Sequence, residues 1–126
     1  MNARFCRLAA LAVAIIPLLV TAGAKPVQAQ YMTGADLSQS CAADSGANAI
    51  NRCLGYIAGV IDYHVVMQSL GTNPSTDFCL PKGLLVEEAA ITVLAYLKNK
   101  PDQQGFIAAP AVALALNAVY PCKSVR

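Results

Sequence analysis

Residues 48–70, NAINRCLGYIAGVIDYHVVMQSL, are the longest stretch with a helical pattern and decide the fold. Apolar residues recur there at intervals of three and four, which is the spacing of one face of an α-helix. The predicted apolar face is lined by Ile50, Cys53, Leu54, Ile57, Val60, Ile61 and Val65. We therefore expect a long helix that buries one side.

Three further helical segments surround this stretch. Thr33 and Asp36 have the spacing of a capping box, which predicts that a short helix begins there. Helical periodicity returns over residues 85–99 and 106–119, and Pro110 must either lie in the first turn of the last helix or kink it. No segment alternates like a strand. The predicted fold is an all-α bundle of about four helices.

The first 29 residues are typical of a secretory signal peptide. Two arginines and no acid precede an apolar run over residues 8–20, which is shorter than the roughly 20 residues that a membrane-spanning helix needs. The tripeptide Val27-Gln28-Ala29 favours cleavage after Ala29, because Pro26 closely follows the earlier site after Ala24; that site and a retained anchor are the alternatives. We expect a mature domain of residues 30–126 in the periplasm.

Loss of that segment removes three basic residues and no acid. Six basic and seven acidic residues then remain, so the mature chain has a net charge of −1. A near-neutral domain lacks the basic surface with which proteins bind nucleic acid or anionic lipid. Neither nucleic acid nor a membrane is therefore expected as a partner.

Four cysteines remain in the mature chain, and an even number in a small exported domain predicts two disulfides. Their gaps of 12, 26 and 43 residues do not suit zinc, which prefers short spacings. A short link joins the last two helices, so they should be antiparallel neighbours, with Cys79 beside Cys122. Cys41 and Cys53 flank the first turn. Of three possible connectivities we expect Cys41–Cys53 and Cys79–Cys122.

Catalytic groups are not apparent. His64 is the sole histidine, and it lies two residues from Asp62, a spacing that puts the side chains on different faces of a helix. We expect His64 to be half-buried or at the surface. Glu87 and Glu88 are adjacent and suit the start of a helix. No enzymatic activity, metal or cofactor is therefore predicted.

Gly55 and Gly59 lie one turn apart within the long helix. Each glycine in a helix interior costs about 1 kcal/mol relative to alanine, so the pair suggests close packing of another backbone. We favour contact with a helix of the same domain over contact with a second copy.

Several local patterns together resemble the Rap/Tai immunity protein family. The central pattern is Cys53-x-Gly55-Tyr56-Ile57-x-Gly59-x-x-Asp62. Upstream lies Thr33-Gly34-x-x-Leu37-x-x-x-Cys41, and downstream lie Phe78-Cys79-Leu80-Pro81-x-Gly83, Tyr96-Leu97-x-x-x-Pro101, Ala115-Leu116 and Pro121-Cys122. The resemblance covers nearly the whole mature chain, although Pro110 falls where the family usually continues a smooth helix.

The resemblance implies a periplasmic, all-helical protein that commonly forms homodimers. Characterised members of the family bind amidase effectors of type VI secretion systems, which cut peptidoglycan, and block them in part by inserting a loop into the amidase pocket. The inhibitory loop varies between members, so its contact residues do not carry over.

An inhibitory protrusion should be narrow, polar and stiff at its base, because ordering a flexible loop on binding lowers affinity. The segment 71–77 meets these conditions, with Pro74 within it and Cys79 two residues beyond. Its predicted partner-binding residues are Asn73, Thr76 and Asp77. The link over residues 99–104 is the rival, with Lys100, Asp102 and Gln103 as the predicted contacts.

A periplasmic stress chaperone of the HdeA kind is the main alternative. Such proteins are also small, helical, disulfide-bonded and dimeric, and acid exposes their apolar surface. The mature chain has seven acidic residues and one histidine, which is less charge than such a switch should need. Another envelope-binding role also remains open.

Overall fold

The structure is a computed structural model that describes residues 30–72 and 74–123; the predicted signal peptide lies outside this range. It contains α1 (Gly34–Ser40), α2 (Ala47–Ser69), α3 (Val86–Asn99) and α4 (Ala108–Val119). A 3-10 helix, Pro101–Gly105, joins α3 to α4. No strand forms within the described residues, which contain only two isolated β-bridges. The predicted all-α class and four helices are confirmed.

The capping box at the start of α1 is confirmed. The backbone N–H of Asp36 donates to the hydroxyl of Thr33, and the backbone N–H of Thr33 donates to the Asp36 carboxylate, each over 3.1 Å. These bonds hold the pKa of Asp36 below its usual value, the Thr33 side chain contributing most. Two of the backbone donors at this helix end are thereby satisfied.

One apolar core connects all four helices. Its largest fully buried side chains include Leu37 of α1, Ile57 of α2, Leu97 of α3 and Leu116 of α4. Phe78, from the segment between α2 and α3, completes it. The core therefore ties the connection that follows residues 71–77 to the helices themselves.

The predicted burial along α2 is wrong at two adjacent positions. Val65 is 55% exposed, whereas His64, expected to be half-buried or at the surface, is only 5% exposed. Successive helix residues are about 100° apart, which places His64 in line with the buried Cys53 and Ile57 and turns Val65 away. Burial of Val65 was predicted because only apolar residues were assigned to the buried side of α2, whereas the polar residue His64 occupies that position.

Both predicted disulfides are present. Cys41 bonds Cys53, with a Cα–Cα distance of 5.2 Å, and Cys79 bonds Cys122, with a distance of 4.8 Å. The first closes the turn between α1 and α2. The second joins the chain after α2 to the chain after α4, so it closes a much longer loop.

Pro110 lies in the first turn of α4, which begins at Ala108. A proline there loses no intrahelical hydrogen bond, because the first backbone N–H groups of a helix have no partner within it. The first of the two alternatives for Pro110 is therefore correct. The 3-10 helix before α4 was not predicted.

Candidate partner-binding site

Segment 71–77 follows directly from the end of α2. Gly71 has φ +72°, a left-handed conformation that favours glycine. Its backbone N–H donates to the carbonyl of Gln68 over 3.0 Å, and that of Thr72 donates to the carbonyl of Met67 over 2.9 Å. This pair of bonds is a Schellman motif, which caps the helix and turns the chain away from its axis.

A buried polar cluster holds the end of this segment against α2. Nε2 of His64 lies 2.9 Å from Oδ1 of Asp77 and 3.2 Å from the carbonyl of Phe78. The same Nε2 also lies 3.3 Å from the backbone nitrogen of Phe78, so the tautomer of the ring sets which of these groups donates to the other. Gln68, one turn further along α2, donates to the same carboxylate oxygen over 2.7 Å. Two side chains of α2 thus fix the position of Asp77.

The imidazole also stacks on Phe78. The two ring centroids are 3.8 Å apart and the ring planes differ by 12°. Phe78 is 2% exposed, so the stack anchors the segment in the apolar core. His64 therefore packs with one side of its ring and forms hydrogen bonds at its edge.

The carboxyl-terminal part of the chain closes the base of the segment from the other side. Asn117 of α4 donates to the backbone carbonyl of Asp77, and the backbone N–H of Cys79 donates to the carbonyl of Tyr120 over 2.8 Å. The Cys79–Cys122 disulfide lies directly beyond these bonds. The base is thus bound to α2, to α4 and to the segment that follows α4.

The predicted contact residues in segment 71–77 differ in their surroundings. Thr76 is partly exposed, and Ser75 beside it is exposed. The carboxylate of Asp77 is instead engaged by α2. Asn73 lies outside the described residues. Thr76 is thus available to a partner, whereas Asp77 first serves the fold.

The rival segment is not a free loop. Lys100 precedes the 3-10 helix, and Asp102 and Gln103 lie within it. A Cβ at Gly34 of α1 would come 2.5 Å from the carbonyl oxygen of Gln103, so the two backbones are in tight contact. The backbone N–H of Gly34 also donates to the backbone carbonyl of Phe106 over 2.9 Å. This segment lies flat against α1, although Lys100 and Asp102 are exposed.

A family model described as "Rap1a immunity proteins" matches residues 33–122. The match begins at the N-cap of α1 and ends at the last disulfide cysteine. The chain belongs to the Rap1a immunity protein family. This membership confirms the predicted family and supports a role in immunity. No curated protein matches the chain, and no solved structure does.

The glycine pair of this Rap1a family member does not pack within the domain. A Cβ built at Gly55 or Gly59 would meet nothing within 4 Å, and both residues are exposed. The expectation that they contact a helix of the same domain is therefore wrong. The spacing of the glycines placed them on one side of α2, but it did not show that this side faces away from the core.

No metal-binding group of three or more His, Cys, Asp or Glu residues occurs in residues 30–72 and 74–123. In the same part of the chain, no helix is both long enough and apolar enough to cross a membrane. Every buried side-chain polar atom described there has a hydrogen-bond partner. The polar cluster around His64 thus leaves no buried side-chain polar atom without a partner in this part of the Rap1a domain.

The cluster around His64 was not predicted from the sequence. The nearby carboxylate Asp62 is two residues away on a different face of the helix, whereas the partner Asp77 is thirteen residues away. One sequence feature could have indicated it, because His64 is in helical register with Cys53 and Ile57 on the apolar side of α2. A polar residue on a buried face needs a partner, and the polar segment after α2 could supply one.

Proposed function

We propose that this protein is a periplasmic immunity protein that binds a peptidoglycan amidase effector of a type VI secretion system and blocks its active site with segment 71–77. It acts by binding, without catalysis of its own. The Rap1a family match supports the immunity role. The resemblance described above supplies the amidase and the compartment.

The observation that carries the choice of segment 71–77 is the way its base is held. Three helix side chains, His64, Gln68 and Asn117, bond the residues at its carboxyl-terminal end. The Schellman motif fixes its other end. A segment that is ordered at both ends loses less conformational entropy when it binds, which leaves more of the contact energy as affinity.

The polarity and charge of segment 71–77 suit insertion into a water-filled active-site cleft. Ser75 and Thr76 carry hydroxyl groups that can both donate and accept hydrogen bonds. Neither is charged, so their desolvation costs less than that of an ionised group. Such residues can replace water in an active site without leaving a buried charge unpaired.

Protection of cells tests this proposal. We expect that an amidase effector encoded beside this gene, when directed to the periplasm, lyses cells unless the full chain is expressed with it. A variant without residues 1–29 should stay in the cytoplasm, away from the effector and without its two disulfides, and give no protection. Lysis despite periplasmic expression of the full chain would contradict the proposal. Prevention of aggregation of acid-treated proteins, without protection from the amidase, would favour the chaperone alternative.

The resemblance also implies a homodimer, which we include in the proposal.

A further inference from the structure

The outer face of α2 is the side of that helix directed away from the core. We define it by Arg52, Gly55, Gly59, Asp62, Tyr63 and Val66, all of which are exposed. It lies opposite the buried Cys53, Ile57 and His64. A helix of 23 residues therefore presents to solvent two charges, two glycines and two large apolar side chains.

No contact within the chain explains why the outer face of α2 combines two glycines with exposed apolar side chains. Glycine weakens a helix interior, yet no neighbouring atom requires its small size at either position. Tyr63 is 66% exposed and Val66 is 51% exposed, next to those glycines. Small residues that admit a close backbone, beside uncovered apolar side chains, are what a packed helix pair needs.

The two charges of this face are placed symmetrically. Arg52 precedes Ile57 by five residues and Asp62 follows it by five, while Gly55 and Gly59 lie two residues to either side. With a rise of about 1.5 Å per residue, each charge is about 7.5 Å along the axis from the midpoint of the glycine pair. Arg52 and Asp62 are also about 80° apart around the helix, with the glycines between them.

We propose that the outer face of α2 packs against the same face of a second copy, with the two helices antiparallel and crossing at Gly55 and Gly59. A two-fold axis at the level of Ile57 then puts Arg52 of each copy at the level of Asp62 of the other. The contact is isologous, so it forms two identical Arg–Asp ion pairs. This inference rests on the homodimer of the proposed function and names its interface.

The charges select the antiparallel arrangement. A parallel pair in the same register would place Arg52 against Arg52 and Asp62 against Asp62, and like charges in contact are unfavourable. Within the described residues neither side chain forms an ion pair with its own chain. Arg52 contributes only weakly to the lowered pKa of Asp36, after the two hydrogen bonds from Thr33 and against the opposing effect of desolvation. Both groups are therefore free to pair between copies.

The antiparallel arrangement also covers the apolar residues. Tyr63 comes level with Asn51 of the second copy, and Val66 comes level with its Asn48. Both asparagines are exposed on the amino-terminal half of α2. The phenol of Tyr63 can form a hydrogen bond with the amide while its ring packs on the partner helix, which is the usual role of tyrosine at interfaces.

Charge exchange tests this interface. We would measure the dimer dissociation constant of the disulfide-bonded protein, purified from the periplasm, by sedimentation. R52D and D62R should each raise that constant at least tenfold, because each puts two like-charged pairs in the interface. The double variant R52D/D62R should return it to within about threefold of the unchanged protein. Restoration by the double variant would not follow from a merely local effect of either residue.

Gly59→Leu gives a second test, since a Cβ at this exposed position meets nothing within 4 Å in the chain but a leucine there would block the crossing. We expect a monomer that melts at the same or a higher temperature. I91D, which changes an exposed residue of α3, is the matched control and should leave the dissociation constant unchanged. If the protein dimerises but none of the α2 substitutions changes its dissociation constant, this interface alone would be overturned. A monomeric unchanged protein at micromolar concentration would overturn the homodimer as well.

Discussion

The two segments predicted to contact a partner are held in opposite ways. Segment 71–77 is fixed at its two ends, by the Schellman motif after α2 and by the cluster around His64 and Asp77. The 3-10 helix, Pro101–Gly105, is instead packed along its length, because its backbone touches Gly34. The first is hydrogen-bonded to the helices at its two ends, whereas the second packs against α1.

This difference indicates which segment can enter a cleft. A segment that is held only at its two ends can bind a partner through its middle residues without disturbing the core. A segment in backbone contact with α1 can offer only its outward side chains, such as Lys100 and Asp102. Three of the following changes alter how one or the other segment is held, and the fourth alters the start of α1, on which the 3-10 helix packs.

Loss of the disulfide beneath segment 71–77 should have the largest effect. The chain-entropy model gives about 4 kcal/mol for the Cys79–Cys122 loop and about 3 kcal/mol for the Cys41–Cys53 loop. C79A/C122A should therefore lower the free energy of unfolding more than C41A/C53A, as measured by urea denaturation. An equal or smaller loss in C79A/C122A would show that its long loop contributes no extra stability.

Substitution of His64 should come next. His64→Ala removes the stack on Phe78 and leaves the Asp77 carboxylate with Gln68 alone, so we expect a loss of about 2–3 kcal/mol in unfolding free energy. Val65→Ala, at the adjacent exposed position and not on the outer face of α2, is the control and should change it by less than about 0.5 kcal/mol. If both variants melted alike, the cluster would not be what holds segment 71–77.

The contact beneath the 3-10 helix gives a smaller effect. Gly34→Ala puts a methyl group against the Gln103 carbonyl and should cost about 2 kcal/mol, because backbone has to move. Gly59→Ala meets open space and should stabilise the monomer by up to about 1 kcal/mol. Thermal melts of the two variants at low concentration should therefore shift in opposite directions. A stable Gly34→Ala would mean that the 3-10 helix can move away from α1.

The capping box should give the smallest effect. Thr33→Ala should cost about 1 kcal/mol, since Asp36 loses both its hydroxyl partner and the hydroxyl acceptor of its N–H. The pKa of Asp36 is lower in the folded protein than in the unfolded one, so its contribution is complete above the unfolded pKa and disappears as pH falls through the folded one. The difference between the two proteins should therefore shrink in acid. A difference that grew at low pH would contradict this origin.

The helices and disulfides could be predicted because they depend on local patterns. Apolar spacing, the Thr33–Asp36 box and the short link before Pro110 are visible in neighbouring residues, and they sufficed to pair four cysteines. The 3-10 helix was missed because it depends on contact with α1, which no local pattern reveals.

The base of the candidate site could not be predicted for a related reason. His64 and Asn117 reach Asp77 from different helices, across separations of 13 and 40 residues. Only the packing of α2 and α4 brings them together. The outer position of Gly55 and Gly59 likewise depends on which side of α2 the core occupies.

The central claim is that segment 71–77 binds the effector. Its most direct test is the dissociation constant between the purified protein and the cognate amidase, measured by calorimetry for N73A/T76A and for K100A/D102A/Q103A. Asp77 is left intact because it supports the fold. We predict that N73A/T76A weakens binding about thirtyfold, or about 2 kcal/mol, with an unchanged melting temperature, and that the other variant stays within about threefold. Unchanged binding in N73A/T76A, together with a large loss in K100A/D102A/Q103A, would contradict the account.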